Sequence, residues 1–290
     1  MLIHSVVYGG GSRLAVPYYG SSGLNLFDIA DPNVGPRLLQ NFTFVQPGDI
    51  PKLEGNEQQR VPRPHQALLD PTGEFIVLPD LGSDRLRVLR VDKQALQVTD
   101  TGKDLVFKRG SGPRHAVFFK SGTNTFLYII TELSNRLLGY KVSYENDKTL
   151  GFTSIQDLST HGGQEALPDH YKGSEILISP DNKFLTVSSR NESTLQFTLA
   201  NGTTIPSDPL ISFSIDPNTG VLTHVQTASA GGVFPRHFSF NKDGSLVVSA
   251  LQNDGRVVVF QRDVKTGKIG NKVAEIDLPG MSPAFAMFKQ

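Results

Sequence analysis

Apolar positions in this chain come in short runs, and between them stand clusters of proline, glycine, aspartate and asparagine. The stretch from Pro64 to Asp92 shows the unit: Ala67, Leu68 and Leu69, a turn at Asp70-Pro-Thr-Gly73, a second run from Phe75 to Leu78, a polar break from Pro79 to Ser83, then Leu86, Val88, Leu89 and Val91. Runs rich in branched residues and bounded by turn formers predict strands, here a small antiparallel meander.

The same arrangement recurs. His4 to Val16 opens a copy that continues through Tyr19–Gly23 into Leu24–Ile29, with Gly9–Gly11 read as a hairpin turn. Pro113–Phe119 opens another, followed by Phe126–Ile130, the break Thr131–Asn135 and Leu137–Val142. Ser174–Asp181 leads to Phe184–Val187, the break Ser188–Ser193 and Thr194–Leu199, and Pro235–Phe240 leads to Leu246–Val248 and Arg256–Phe260. With Leu14, Phe75, Phe126, Phe184 and Leu246 as equivalent points, the steps are 61, 51, 58 and 62 residues, five copies in all. Residues 30–63 and 146–173 read as long loops by composition. Ile211–Ile215, Val221–Gln226 and Lys272–Leu278 read as outer strands, and Ser282–Phe288 as the opening strand of a sixth unit. Helical periodicity is nearly missing.

An evenly punctuated chain of this kind is all-β, a β-propeller with one four-stranded blade per copy. Its period exceeds the about 40–45 residues of a WD repeat, and tryptophan is absent. Residues 1–290 are read as a single propeller domain. Since nothing before His4 supplies the strands that would close the ring, the domain is expected to be incomplete at its amino end.

Composition narrows the partners. Formal net charge is zero, which gives no support to a nucleic-acid or anionic-membrane partner held by a basic face. No apolar run approaches the roughly 18 residues of a membrane helix. Cysteine is absent, so thiolate metal sites, disulfides and a cysteine nucleophile are excluded. No signal-peptide pattern opens the chain, and a cytoplasmic setting is expected. Secretion is the alternative, because Asn41-Phe-Thr, Asn191-Glu-Ser and Asn201-Gly-Thr are glycosylation triplets. Oligomeric state is not readable.

In a propeller the first strands line a central channel, and loops at its mouth form the ligand pocket. Openings of the copies contribute His4, His65, Arg114 with His115, Glu175, and Arg236 with His237. Breaks contribute Tyr18, Tyr19, Asp80, Glu132, Arg190 and Gln252. Imidazoles, carboxylates and guanidiniums around one opening are costly to desolvate without a use. The plainer reading is that they pin loops, and it suits His115 and His237 best, which share the context Pro-Arg-His. His65, Arg114, Glu132 and Arg190 depart from the repeat and are the stronger functional candidates. His161 and His170 read as solvated loop histidines. No Gly-x-Ser-x-Gly elbow supports a serine triad. Arginines between Asp80, Glu132 and Glu175 argue against calcium there, and no metal is assigned.

The stretches PHQALLDPTGEFIVLPDLGSDRLRV, GSGPRHAVFF with YIITELSNR, SEILISPDNKFLTVSSR and PRHFSFNKDGSLVVSALQNDGRVVVF together resemble the seven-bladed lactonase propellers. That family includes propeller-type 6-phosphogluconolactonases and fungal carboxy-cis,cis-muconate lactonizing enzymes. The resemblance implies a cofactor-free enzyme with His65, Arg114, Glu132 and Arg190 as catalytic residues, while His115, Glu175, Arg236 and His237 are expected around the substrate from their place at the openings of the copies. It implies hydrolysis of a small anionic sugar lactone, or the reverse closure of a carboxymuconate. Compared with the family, about one blade is missing at the start. A non-catalytic binding propeller is the competing reading, favoured by the glycosylation triplet at Asn191 beside Arg190.

Overall fold

Each apolar run pairs antiparallel with the next, because the turns between them are too short for any crossover. A computed structural model describes residues 4–46, 57–146 and 148–289. Two compact units are distinguishable: residues 1–132 with 141–153, and residues 133–140 with 154–290.

The first sheet runs in chain order through β1 (Val6–Tyr8), β2 (Arg13–Tyr18), β3 (Gly23–Asp28) and β4 (Arg37–Thr43). The second has β5 (Leu68–Leu69), β6 (Phe75–Asp80) and β7 (Arg85–Val91). Its fourth position is shared by β8 (Val98–Asp100) and β9 (Leu105–Val106), both paired to β7. The third consists of β10 (Pro113–Ser121), β11 (Asn124–Thr131), β12 (Arg136–Tyr144) and β13 (Leu150–Ser159), and the division between the units runs through its last two strands. In the fourth, β14 (Lys172–Ile178) and β15 (Phe184–Arg190) are followed by a separate hairpin, β16 (Leu195–Thr198) with β17 (Thr204–Ser207), before β18 (Pro209–Ile215) and β19 (Leu222–Ser229) complete the sheet. The fifth is β20 (Pro235–Phe240), β21 (Leu246–Leu251), β22 (Arg256–Arg262) and β23 (Ile269–Asp277). The chain is all-β. Among the described residues helix is confined to 3-10 turns at Gly9–Gly11 and Glu57–Gln59, and no helix is long and apolar enough to cross a membrane.

The five repeat points, Leu14, Phe75, Phe126, Phe184 and Leu246, all fall in the second strand of their sheets. Those strands are continuous apolar runs because both of their faces are covered: every residue of β6 and of β15 is buried. In the first unit Leu24 and Leu26 of β3 pack with Ala67, Ile76, Leu78 and Leu89 of the second sheet. In the second unit Leu210 of β18 packs with Phe238, Val247 and Val258 of the fifth sheet. Each such side chain contributes roughly 1.5–3 kcal/mol on burial.

Four expectations change. Residues 30–63 are not loop throughout, since Arg37–Thr43 is β4, and residues 146–173 contain β13. Both are fourth strands, β4 with largely exposed side chains and β13 with buried, half-buried and exposed positions out of strict alternation, so neither carries the alternation that marks a half-buried strand. The remainder of those connectors at 47–56 and 147 lies outside the described residues, as do residues 1–3. Leu195–Thr198 is not the third strand of its sheet, a place taken by β18. Ser282–Phe288 forms no strand. Its links include bonds from Ser239 Oγ to the Ala286 carbonyl, from Ser282 Oγ to the Gln252 carbonyl and from the Ala286 amide to His237 Nδ1, with Phe285 packed on His237.

Candidate active site

The repeated Pro-Arg-His has a structural cause. Proline can open a strand without a donor, and in both copies the ladder slips by one residue between the proline and the histidine, at Pro113/His115 and at Pro235/His237. Arg114 and Arg236 are therefore the extra residues of β-bulges, a device that re-aims a side chain. The fourth sheet slips between Gly173 and Ile176, and Glu175 lies in that gap.

Re-aimed in this way, each arginine reaches the residue that follows the second strand of its own sheet. The Arg114 Nε donates to Glu132 Oε2 at 3.0 Å with Arg114 2% exposed. Arg236 Nη1 donates to Gln252 Oε1 at 3.3 Å. The two loops are built alike, because the Glu132 amide donates to the Gly112 carbonyl at 2.7 Å and the Gln252 amide to that of Phe234 at 3.0 Å.

Around Arg114 the first unit gathers further groups. His65 Nδ1 and His115 Nε2 are 3.0 Å apart, and both residues are buried. One nitrogen must donate and the other accept, so a single proton serves both rings. His4 meets His115 edge-on at 5.6 Å, and Tyr19 meets His65 the same way at 5.6 Å. Gln58 Nε2 donates to Glu132 Oε1 at 3.2 Å. The Tyr19 phenol is pushed up chiefly by burial. Its hydrogen bond with Gln58 lowers it, Glu132 raises it, and the charges of Arg63 and Arg114 lower it. Tyr19 thus stands beside both the histidine pair and the Arg114–Glu132 pair, with the Arg63 guanidinium 4.8 Å from its ring centre.

Backbone anchors hold this cluster. Asp84 accepts from the Gly110 amide at 2.8 Å and from the Gly112 amide at 2.7 Å, directly ahead of Pro113. Gly112 takes φ +61°, a region that favours glycine. Gln66 Oε1 accepts from the Ala116 amide at 2.7 Å, fixing the chain beside His115. Asp80, grouped with the mouth residues by its place in the repeat, is committed elsewhere: it pairs with Arg87 at 2.8 Å and accepts from the Arg63 amide at 2.6 Å.

The second unit holds the remaining candidates. Arg190, at the end of β15, lies over the Phe234 ring at 4.9 Å and donates to the Gly173 carbonyl at 3.3 Å. Asp208 fixes the turn after it, accepting from the amides of Asn191, Glu192, Ser193 and Phe234 at 2.7–3.1 Å. Glu175 Oε1 accepts from the Ile176 amide at 3.0 Å, and Glu175 Oε2 is 3.9 Å from His237 Nε2. His237 in turn stacks on Phe285 at 4.1 Å. His161 is not a free loop histidine: its Nε2 is 3.1 Å from Oε2 of the buried Glu192.

Sequence reasoning missed Gln58, Asp84 and Asp208. Gln58 comes from a polar stretch without strand periodicity. The two aspartates sit at turns, where aspartate is so common that its identity gives no signal.

Four-stranded sheets repeated at this period define a β-propeller. The chain belongs to the family described as lactonase, 7-bladed beta-propeller, whose model matches residues 2–285. It is 34% identical over 268 residues to a probable 6-phosphogluconolactonase of Arthroderma benhamiae, covering 90% of this chain and 62% of that protein. It is 28% identical over 229 residues to the 6-phosphogluconolactonase of Bacillus subtilis, covering 77% of this chain and 57% of that one. The chain thus spans less than two thirds of the length of both. Among solved structures, a Pseudomonas aeruginosa periplasmic gluconolactonase superposes with a TM-score of 0.77 at 23% identity, over 97% of this chain and 71% of that one, a likeness of fold.

Proposed function

We propose that this chain hydrolyses a small anionic sugar lactone of the 6-phosphogluconolactone kind, with His65, Arg114 and Glu132 at the centre of the chemistry. The observation that carries the reading is the convergence, in one unit, of the 3.0 Å His65–His115 contact and the 3.0 Å Arg114–Glu132 pair around Tyr19. Family membership supports it, and so do the names of the relatives.

In this reading Arg114 faces the substrate's anion or its carbonyl oxygen, where a planar guanidinium stabilises charge developing on oxygen. His65 takes a proton from water as the water oxygen bonds to the carbonyl carbon. The His115 ring, sharing a proton with His65, disperses the charge. Collapse of the tetrahedral intermediate breaks the ring C–O bond, and the proton returns to the departing ring oxygen, giving a hydroxy acid. Glu132 sets the orientation of Arg114. Glu175, Arg236 and His237 are assigned as substrate-facing residues from their place at the openings of the copies, and Arg190 as a second anion-binding arginine on the family resemblance alone. We place the chain in one propeller domain and in the cytoplasm on the same basis. Mass spectrometry showing glycans at Asn41, Asn191 or Asn201 would replace the cytoplasmic assignment.

The test is turnover of 6-phosphoglucono-δ-lactone and of unphosphorylated gluconolactone by the wild type and by His65→Ala and Arg114→Ala. Removal of a general base lowers turnover by about two to four orders of magnitude. Unchanged turnover in His65→Ala removes the role given to that residue.

A further inference from the structure

On the first unit, away from the histidine cluster, a cavity of about 210 Å³ is lined by Arg90, Thr99, Thr101, Lys103, Lys148 and Thr149. Three of these side chains are cationic and three carry hydroxyls. Among the described residues the lining contains no carboxylate and no apolar side chain. Arg90 of β7 and Thr99 of β8 are cross-strand partners. Thr101 follows β8, and its Oγ1 donates to the Val88 carbonyl at 2.7 Å while accepting from the Lys103 amide at 3.2 Å. Lys148 and Thr149 come from the turn between β12 and β13, closed by bonds between Glu145 and both residues.

Two observations separate this place from an ordinary basic surface. Thr149 is 5% exposed, and its buried Oγ1 has no hydrogen-bond partner among the described residues. Two acids of the same sheet are also engaged: Asp92 Oδ1 accepts from the Gln94 and Ala95 amides, and Asp100 Oδ1 from the Gly102 amide. Those carboxylates fold turns, although Asp92 still attracts Arg90 and Lys148 at longer range.

We propose that this cavity binds a tetrahedral oxyanion, phosphate or a small phosphate monoester. A guanidinium recognises such a group through two parallel bonds, ammonium groups add charge, and the Thr99 and Thr149 hydroxyls are left to donate to its oxygens, the Thr101 proton being committed to the Val88 carbonyl. The volume lies below the about 300–1,000 Å³ of cavities that enclose drug-sized ligands, so the ligand is small. The site is independent of the lactonase reading.

The experiment is a titration of the isotope-labelled chain with inorganic phosphate, followed by amide chemical shifts at constant ionic strength set with sodium chloride. A second arm uses glycerol 3-phosphate and distinguishes free phosphate from a monoester. The expected result is saturable movement of the Thr99, Thr101, Lys103 and Thr149 amides, weakened at least about tenfold in Arg90→Gln, the scale of one charge-assisted pair. Thr149→Val keeps the shape and removes the hydroxyl, and is expected to weaken binding several-fold while thermal unfolding stays the same or rises. Arg114→Ala leaves these shifts in place, which separates them from anion binding at the catalytic cluster. Movement that does not saturate, that chloride reproduces, or that survives in both Arg90→Gln and Thr149→Val overturns the proposal.

Discussion

The bulged arginines occupy corresponding positions with different partners. Arg114 donates through Nε to the Glu132 carboxylate and Arg236 through Nη1 to the neutral Gln252 amide. Glu132→Gln keeps a hydrogen-bond acceptor for Arg114 but leaves its buried guanidinium without a counter-charge, and Arg114→Ala leaves the Glu132 carboxylate without its own. Breaking a buried pair from one side costs about 3–5 kcal/mol, which equilibrium urea unfolding would register, and Glu132→Gln, which retains the hydrogen bond, should lower the midpoint less than Arg114→Ala. A midpoint unchanged by either substitution would mean that the pair does not hold these charges in place. Much of this site was legible at the residue scale: histidine, arginine and glutamate stood at corresponding points of a visible repeat. What the residues could not reveal was pairing. His65 and His115 are 50 positions apart, and their contact depends on how neighbouring sheets pack. Asp80 occupied an equivalent point in the repeat and turned out to serve Arg87.

Turns set the elements, and their aspartates titrate. Asp92, Asp216 and Asp263 each follow the third strand of a sheet and accept backbone amides of the turn into the fourth. Those amides lower each carboxyl below its usual value of 3.8. A depressed carboxyl contributes stability that is present above the unfolded pKa and is lost as pH falls through the folded one. The contribution is thus intact at neutral pH and disappears below about pH 4. Asp216→Asn with Asp263→Asn should flatten the acid side of the stability profile, read as urea midpoints between pH 6 and pH 2.5. An acid limb as steep as in the wild type would assign that loss to other groups. These turns were legible as Asp-Pro-Asn-Thr-Gly and its relatives, and so were the second strands, whose apolar runs are unbroken. The fourth strands were not: Arg37-Leu-Leu-Gln-Asn-Phe-Thr43 exposes most of its side chains, including Leu38 and Leu39, and so has no period to read. Leu195–Thr198 failed for the opposite reason, since an inserted hairpin has the same local pattern as a strand of the sheet.

Across the whole molecule every sheet repeats one gradient. Second strands are covered on both faces and hydrogen-bonded on both edges, as β6 and β15 show. Fourth strands such as β4, β19 and β23 pair along one edge and bury few of their side chains. Opening a fourth strand uncovers little apolar surface, whereas opening a second strand dismantles the packing of its sheet, so local stability should fall in that order. Hydrogen exchange resolved to peptides should show amides of β6, β11, β15 and β21 exchanging at least about tenfold more slowly than those of β4, β19 and β23. Within the fourth sheet the hairpin β16–β17 provides an internal control. It lies outside the ladder, yet Phe197 is buried against Phe260, and the Ala200 amide donates to Glu275 at 2.7 Å. Its protection should therefore depend on packing against the fifth sheet. Phe197→Ala should accelerate exchange in the hairpin and in β23 while leaving β15 as slow as before. Uniform protection across each sheet, or loss of protection in β15 with that substitution, would show that the sheets open as indivisible units rather than from their fourth strands inward.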